Sequence, residues 1–299
     1  MITLASDFGS PYPAAMKGVL CSRTDARLAD ISHDLPRGDV RTSAFWLRET
    51  LPYFPPATHL VVVDPDVGTD RRAIVVRSGG HVLVGPDNGV LLPAARRLTG
   101  LEEASTGNDG NLAETASNCD ASLEETTTGN DAGIETFAVD ESALEAPSPS
   151  GHHAAPGSTT FHGRDVFAPA AAAVETRDGA LEALPWLSRL TDPVECRLPV
   201  ADVSEPNAVA GEVLAVDDFG NIITNVPGDV LEEAGSVRVN GDRVPVGETF
   251  AKVAPGEQVA LVGSHGYVEL DVNDGRGDDA FGLAVGDEFV LERVSPVGE

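Results

Sequence analysis

The chain reads as an α/β protein, with an N-terminal α/β domain built on a mostly parallel central sheet (residues 1–205) and a smaller all-β C-terminal domain (206–299). Three observations predict this. Apolar runs rich in β-branched residues, such as Leu60–Val63, alternate with stretches of helical spacing. Strand–helix–strand alternation implies parallel strands joined by right-handed crossovers. The apolar runs are continuous rather than alternating, as in a sheet covered on both faces. Beyond residue 206 the helical spacing stops, and short β-rich stretches separated by turn residues follow, at the spacing of a small barrel or sandwich.

In chain order, Met1–Ala5 predicts a buried strand that ends at Ser6-Asp7-Phe8-Gly9, and Ala14–Leu20 predicts a helix. Arg27–Ser32 predicts a second strand. Val40–Tyr53 has helical spacing, with Ala44, Phe45, Leu47 and Leu51 apolar, and stops before Pro55-Pro56. Leu60–Val63 and Ala73–Val76 read as adjacent strands, and His81–Val84 as a further one. Asp87-Asn88 then shapes a loop and caps a helix over Val90–Leu98. From Thr99 to Ser158 the chain turns polar, acidic and rich in Gly, Pro and Ser; Gly100–Asp131 reads as an inserted, mobile, solvated loop. Ile134–Val139 regains a strand and Val166–Val174 an Ala-rich helix. Arg189–Ala210, interrupted by Pro193, Pro199 and Pro206, reads as a linker. The all-β region follows with Glu212–Val216, Ile222–Val226, Ser236–Val239, Gln258–Val262, Tyr267–Val272 and Glu288–Arg293.

Composition excludes whole classes of function. Against 48 Asp and Glu stand 20 Lys and Arg, a net charge of −28, and the only lysines are Lys17 and Lys252. Nucleic acid and anionic membrane would both be repelled. Acidic residues spread through the chain suit a protein kept soluble in high salt, where self-repulsion is screened, and point to a halophile's cytoplasm. Cys21, Cys119 and Cys196 are isolated, which predicts reduced thiols and no structural zinc. His152-His153 has no partner cluster and predicts no metal site. No signal peptide or membrane span is read in the sequence.

The candidate chemistry sits where apolar runs end. Asp64-Pro65-Asp66-Val67-Gly68 closes the Leu60–Val63 run, and ligands of open α/β sheets lie at such C-terminal strand ends. Arg71 can fold back onto Asp64 and keep that carboxylate ionised. On residue chemistry alone the loop reads equally as a β-turn with a surface ion pair. His162 precedes a helix N-terminus, where the dipole disfavours added positive charge; a neutral imidazole there can accept a proton. A helix-capping loop with a buried histidine is the other reading. Arg164 and Asp165 can pair and fix that loop. In Asp217-Asp218-Phe219-Gly220-Asn221, Asn221 can both donate to and accept from an adenine edge, Phe219 can pack on a ring, and Asp217 can accept from an amino group. His33 reads as structural.

Four blocks in this order, VVVDPDVGTDRR (61–72), VGPDNGVL (84–91), FHGRDVFAPAAA (161–172) and DDFGNIITN (217–225), resemble the S-adenosylmethionine (SAM) hydroxide adenosyltransferases, relatives of the SAM-dependent chlorinase and fluorinase. The resemblance implies a barrel-like C-terminal domain and hydrolysis of SAM to adenosine and L-methionine, with SAM the substrate and no cofactor. It implies Asp64, Arg71 and His162 as the catalytic set. Asp7 would bind the ribose hydroxyls and Asp217 the methionine end. Asn221, Ser264, Glu269 and Val272 would contact the substrate, and no residue would hold a metal. It also implies a homotrimer whose sites lie between the N-terminal domain of one subunit and the barrel of a neighbour. Two departures stand out: Tyr12-Pro13 after the first strand, and Arg276-Gly277-Asp278-Asp279 where relatives carry small residues.

Two other functions are compatible with the resemblance. A SAM-dependent halogenase needs a halide site, but Asp64 puts a carboxylate in the loop where halide-binding relatives carry a neutral residue. A non-catalytic SAM or adenosine sensor would keep Asp7 and Asn221 without needing Asp64, Arg71 and His162 together.

Overall fold

The structure, a computed structural model, describes residues 1–99, 133–144, 160–177, 180–205 and 207–294. The expected insertion at Gly100–Asp131, Cys119 and His152-His153 lie outside the described residues. The chain divides into two compact units, Met1–Arg197 and Leu198–Glu299.

The first unit contains a seven-stranded sheet: β1 (Ile2–Ser6), β2 (Leu28–Ser32), β3 (Thr58–Val62), β4 (Ala73–Ser78), β5 (His81–Pro86), β6 (Ile134–Val139) and β7 (Leu187–Leu190), in the order β2-β1-β3-β5-β4-β6-β7. β2, β1, β3 and β5 run parallel, whereas β4 pairs antiparallel with β5 and β6. The sheet is mostly parallel at the end that carries Asp7 and Asp64. Helices α1 (Tyr12–Arg23), α2 (Val40–Thr50), α3 (Leu92–Thr99) and α4 (Ala168–Glu175) accompany it.

Strand periodicity explains why the apolar runs are continuous. Leu60 and Val62 enter a core with residues of α1 and α4, while Val61 and Val63 enter a second core with residues of α2 and α3. Val82 and Val84 against Leu83 divide the same way. Each run therefore feeds two faces at once.

Three expectations are corrected. β3 and β4 are not neighbours; β5 lies between them, because the β4–β5 hairpin turns back into the sheet. The Arg189–Ala210 stretch is not a bare linker: β7 pairs with β6, and β8 (Asp202–Glu205) pairs with β9 (Ala208–Val216). Its prolines stand between these strands and so hid them from a reading based on period. The Val40–Tyr53 helix ends at Thr50 and tightens into a 3₁₀ turn over Leu51–Tyr53, where Pro52 stands.

The second unit is a nearly closed, antiparallel barrel-like sheet of β8, β9, β10 (Ile222–Pro227), β11 (Ser236–Val239), β12 (Asp242–Pro245), β13 (Gln258–Val262), β14 (Tyr267–Val272) and β15 (Glu288–Arg293), ordered β12-β11-β15-β9-β10-β14-β13. A Val246–Ala260 bridge links the chain just beyond β12 to β13. The strand β12, unread in the sequence, returns from the Asn240-Gly241 turn, where Asn240 has φ 50° and Gly241 φ 95°. A short helix, α5 (Gly277–Phe281), packs on β14.

Two histidine networks brace the first sheet. His33 Nδ1 lies 2.7 Å from Ser6 Oγ at the end of β1, and its Nε2 lies 3.2 Å from Asp30 of β2. At the other end, buried His59 joins Thr3 Oγ1 (2.7 Å) to His81 Nδ1 (2.9 Å). Burial first, and then the neighbouring His81, push His59 down from 6.5 to about 3. An unfolded chain regains the ordinary value, so this histidine stabilises the fold above about pH 6.5 and that contribution is lost as pH falls toward 3. Urea unfolding of His59→Gln should lose acid sensitivity over that window, by up to about 1.4 kcal/mol per pH unit. Parallel pH profiles for variant and wild type would contradict this.

Candidate active site

In the first unit the site grows from the C-terminal ends of two paired parallel strands. Ser6 of β1 stands in register with Val62 of β3, so the carboxylates that follow, Asp7 and Asp64, leave the same edge of the sheet. Asp7 Oδ2 accepts from Gly38 N–H at 2.8 Å, which anchors it to the loop before α2. Gly38 sits at φ 69°, in the left-handed region that favours glycine.

Asp64 is held from across its loop. Arg71 donates to it through Nε (3.0 Å) and Nη2 (2.6 Å), the bidentate fork that fits a carboxylate. Arg71 Nη1 donates to the Arg72 carbonyl oxygen (2.8 Å), and its guanidinium lies 5.2 Å from the centre of the Phe167 ring. The two side chains are only 5% and 6% exposed, so this is not the surface ion pair that the residues alone equally allowed. Burial outweighs the pull of Arg71 and leaves the Asp64 carboxyl above its ordinary value. A buried carboxylate raised in this way binds a proton more readily than a solvated one.

His162 completes the group from 91 positions away: its Nδ1 lies 2.9 Å from Arg71 Nη2. An arginine has no acceptor, so Nδ1 must accept and the ring proton must sit on Nε2. The local backbone explains the placement. His162 leads into a π-helical turn, Gly163–Phe167, that continues as α4, rather than capping a plain α-helix. Single π turns are frequent at functional sites. A Cβ on Gly163 would stand 2.8 Å from Met16 Sδ, 3.1 Å from Phe161 Cε2 and 3.4 Å from Val62 Cγ1, so any larger residue makes these side chains shift where the turn meets the end of β3. Gly163→Ala is therefore expected to lower turnover about tenfold or more by shifting His162, since small misplacements are costly in such sites. Single-turnover rates equal to wild type would show that the close approach is dispensable.

Neighbouring residues fix the loops. Arg164 and Asp165 pair at 2.6 and 2.8 Å. Asp87 accepts from Arg72 Nε (2.7 Å) and Val194 N–H (2.8 Å), and Asn88 donates to the Val63 carbonyl oxygen (2.9 Å). Unread in the sequence is an edge-to-face trio, Phe8, Tyr12 and Phe161, with ring centres 5.3–6.1 Å apart. It places Tyr12, one of the departures, beside residues that flank Asp7 and His162.

In the second unit the β9–β10 loop organises itself around Asp217. Its carboxylate accepts from the Phe219 and Asn221 N–H groups (both 2.9 Å) and from Asn221 Nδ2 (3.0 Å). Phe219 is thereby presented to solvent, 78% exposed. Glu269 is buried on β14, close enough to Asp217 for their charges to interact. A Cβ on Gly263 would stand 1.8 Å from Glu269 Oε1, so the carboxylate reaches the β13–β14 turn that bears exposed Ser264. Val272 is set apart: strand parity puts it on the side of Val268 and Leu270, opposite Glu269. The residue the sequence reading overlooked is Asp271, fully buried on β14. The signal was present as carboxylates alternating with apolar residues in Tyr267-Val268-Glu269-Leu270-Asp271-Val272. Among the described residues, no group of His, Cys, Asp and Glu is arranged to hold a metal ion. No helix among them is long and apolar enough to cross a membrane.

Comparisons with known proteins agree with this architecture. Residues 2–122 match the SAM hydroxide adenosyltransferase N-terminal domain and residues 211–290 match the C-terminal domain of that family. A protein of Salinispora tropica named (R)-S-adenosyl-L-methionine hydrolase is 37% identical over 293 residues, covering 96% of each chain. One of the same name from Thermus thermophilus is 38% identical over 296 residues, covering 94% of this chain and 95% of the relative. Among solved structures, an uncharacterized conserved protein from Thermotoga maritima aligns with a TM-score of 0.72 at 28% identity, over 97% of this chain and all of that one. A conserved hypothetical protein, also from Thermus thermophilus, aligns with a TM-score of 0.61 at 33% identity, over 98% and 99% of the two chains. With both domain families matched in order and near full-length relatives above 30% identity, the chain belongs to the SAM hydroxide adenosyltransferase family.

Proposed function

We propose that this chain hydrolyses SAM to adenosine and L-methionine by attack of water on C5′ of the ribose. The observation that carries this reading is the buried Asp64–Arg71–His162 group, joined by hydrogen bonds of 2.6–3.0 Å. Its setting in a family whose relatives are named SAM hydrolases supports it.

The chemistry needs little from the protein beyond alignment and activation. The C5′–O bond forms as the C5′–S bond breaks, and the bonding pair returns to sulfur, leaving a neutral thioether. Water is a weak nucleophile until a base takes its proton. His162 Nδ1 is occupied by Arg71, so the ring offers an Nε2–H donor rather than a free acceptor. Asp64 is then the base, made more basic by burial, and His162 orients the water by donating to its oxygen. Arg71 holds both partners and stabilises developing hydroxide by its charge.

The remaining assignments belong to the same proposal. Asp7 binds the ribose hydroxyls, Asn221 the adenine edge and Asp217 the methionine end, with Ser264, Glu269 and Val272 contributing further contacts. Catalysis uses no cofactor and no metal. The active assembly is a homotrimer with sites at subunit interfaces, to be checked by solution mass. Neither a halogenase nor a sensor is favoured: the Asp64 carboxylate repels chloride, and a sensor has no use for a buried base.

The test is to incubate the protein with each sulfonium epimer of SAM in concentrated potassium chloride and identify products by mass spectrometry. Adenosine and methionine are expected. A chlorinated adenosine, or SAM bound tightly and left intact, would overturn the assignment.

A further inference from the structure

The strand order makes the loop that carries Asp64 and Arg71 span a gap. Asp64 follows β3 and Arg71-Arg72 precede β4, yet β5 lies between these two strands. β5 runs parallel to β3 and antiparallel to β4, so its C-terminal end lies beside both stems of the loop. The register sets Ala73 against Pro86, which brings Arg72 opposite Asp87. Asp87-Asn88, the two residues that leave β5, therefore stand next to both ends of the catalytic loop.

Each of them grips one stem. Asn88 Nδ2 donates to the Val63 carbonyl oxygen (2.9 Å), in the peptide that leads into Asp64. Asp87 holds the other stem twice: its N–H donates to the Arg72 carbonyl oxygen (2.9 Å), and its Oδ2 accepts from Arg72 Nε (2.7 Å). That same carbonyl oxygen accepts from Arg71 Nη1 at 2.8 Å. Arg71 gives its Nε and Nη2 donors to Asp64 and His162, so the Arg72 carbonyl sets the orientation of the guanidinium that joins them.

The clamp is buried and braced from behind. The Asp87 side chain is 1% exposed, and its Oδ1 accepts from Val194 N–H at 2.8 Å. Arg72 reaches past it to Asp192, donating to Oδ1 (3.3 Å) and to the carbonyl oxygen (2.7 Å). A Cβ on Gly89 would stand 2.6 Å from Cys196 Cβ, so the turn after Asn88 lies against the same segment. Desolvating the Asp87 carboxylate is costly unless it is paired. What the pairing secures is a single position for Arg72 and, through its carbonyl oxygen, for Arg71.

We propose that Asp87 is a positioning residue of the reaction: by clamping Arg72 it fixes the carbonyl oxygen that orients Arg71, and with it the Asp64–Arg71–His162 group. The assignment rests on the hydrolase reading given above and extends it to a buried carboxylate outside the catalytic group. Its lever is orientation, because small misplacements of reacting groups are costly. Loosening Arg71 also weakens its pull on Asp64, whose charged neighbours are Arg71, His162 and Asp66. Asp64 then holds its proton to higher pH.

The experiment compares Asp87→Asn with wild type in the full chain. The amide keeps the shape but sets an N–H against Arg72 Nε or Val194 N–H, whichever way it turns, since both partners are donors. Its kcat for SAM is expected to fall about ten- to hundredfold while KM stays within about twofold. The acid limb of its kcat–pH profile is expected to move to higher pH. In an Arg71→Ala background the same change should add less than about twofold, because Asp87 acts through Arg71. The ring nitrogens of His162, followed by ¹⁵N NMR, give a readout without turnover: the Nδ1 resonance in Asp87→Asn should shift toward its position in Arg71→Ala. Arg72→Lys keeps a cation beside Asp87 but loses the fork that also reaches Asp192. It should change kcat, KM and the resonance in the same directions, and serves as the second variant if the amide does not fold. A wild-type kcat, an unmoved His162 resonance, or an equal loss with and without Arg71 would each overturn the proposal. Absent SAM turnover by the wild type, with the His162 resonance still answering to Asp87, would sink the hydrolase reading and leave the positioning link standing.

Discussion

Alanine at Asp64, Arg71 or His162 is expected to lower single-turnover SAM hydrolysis by about 10²–10⁴ in each case, the usual scale for losing general-base action. The three losses should be similar because the residues form one hydrogen-bonded unit. Removing Arg71 releases both Asp64 and His162; removing His162 leaves the water without its donor; removing Asp64 leaves it without its base. Double and triple variants should therefore lose little more than the worst single one, since groups acting as a unit are not additive. Affinity for SAM should change by less than about tenfold, or about 1.4 kcal/mol. Asp7→Ala is expected to invert the pattern, with binding weakened before turnover. Calorimetry beside rapid-quench kinetics separates these outcomes. A His162→Ala variant that turns over at the wild-type rate would make the histidine a structural part of the π turn.

A large salt effect on stability is expected from composition. The chain carries a net −28, and lysines at only positions 17 and 252. Self-repulsion among like charges destabilises the compact state, and the screening length shortens from about 10 Å at 0.1 M salt to about 3 Å at 1 M. The thermal midpoint should rise by about 10 °C or more between those concentrations of potassium chloride, which for a chain of this size corresponds to a few kcal/mol. The local ion pairs that already offset charge, such as Arg77 with Glu182 and Arg96 with Glu195, are partly exposed and should contribute little. A midpoint that does not move would contradict a salt-adapted surface.

Much of the first sheet was legible because burial on two faces writes continuous apolar runs, and Leu60–Val63 is such a run. Its partner order was not, because nothing in Ala73–Val76 says that a hairpin returns β5 between β3 and β4. β7 and β8 were hidden by the prolines around them. In the active site, residue identities were readable, but their electrostatics were not. Sequence supplied Arg71 as a counter-charge and suggested an ionised Asp64. Burial, which only the fold imposes, outweighs that counter-charge and lifts the carboxyl above its ordinary value, so the ionised Asp64 is the more basic for it. Likewise His162 looked free to accept a proton, until its Nδ1 proved to face the donor-only Arg71. Asp271 escaped notice because a carboxylate on a barrel strand ordinarily faces water, and only the structure shows it buried without a partner among the described residues.

Whether water attacks C5′ is decided most directly by running the reaction in ¹⁸O-labelled water and weighing both products. Hydrolysis at C5′ predicts one labelled oxygen in adenosine, at the 5′ hydroxyl, and unlabelled methionine. Unlabelled adenosine, label in the methionine-derived product, or a halogenated nucleoside would each contradict it.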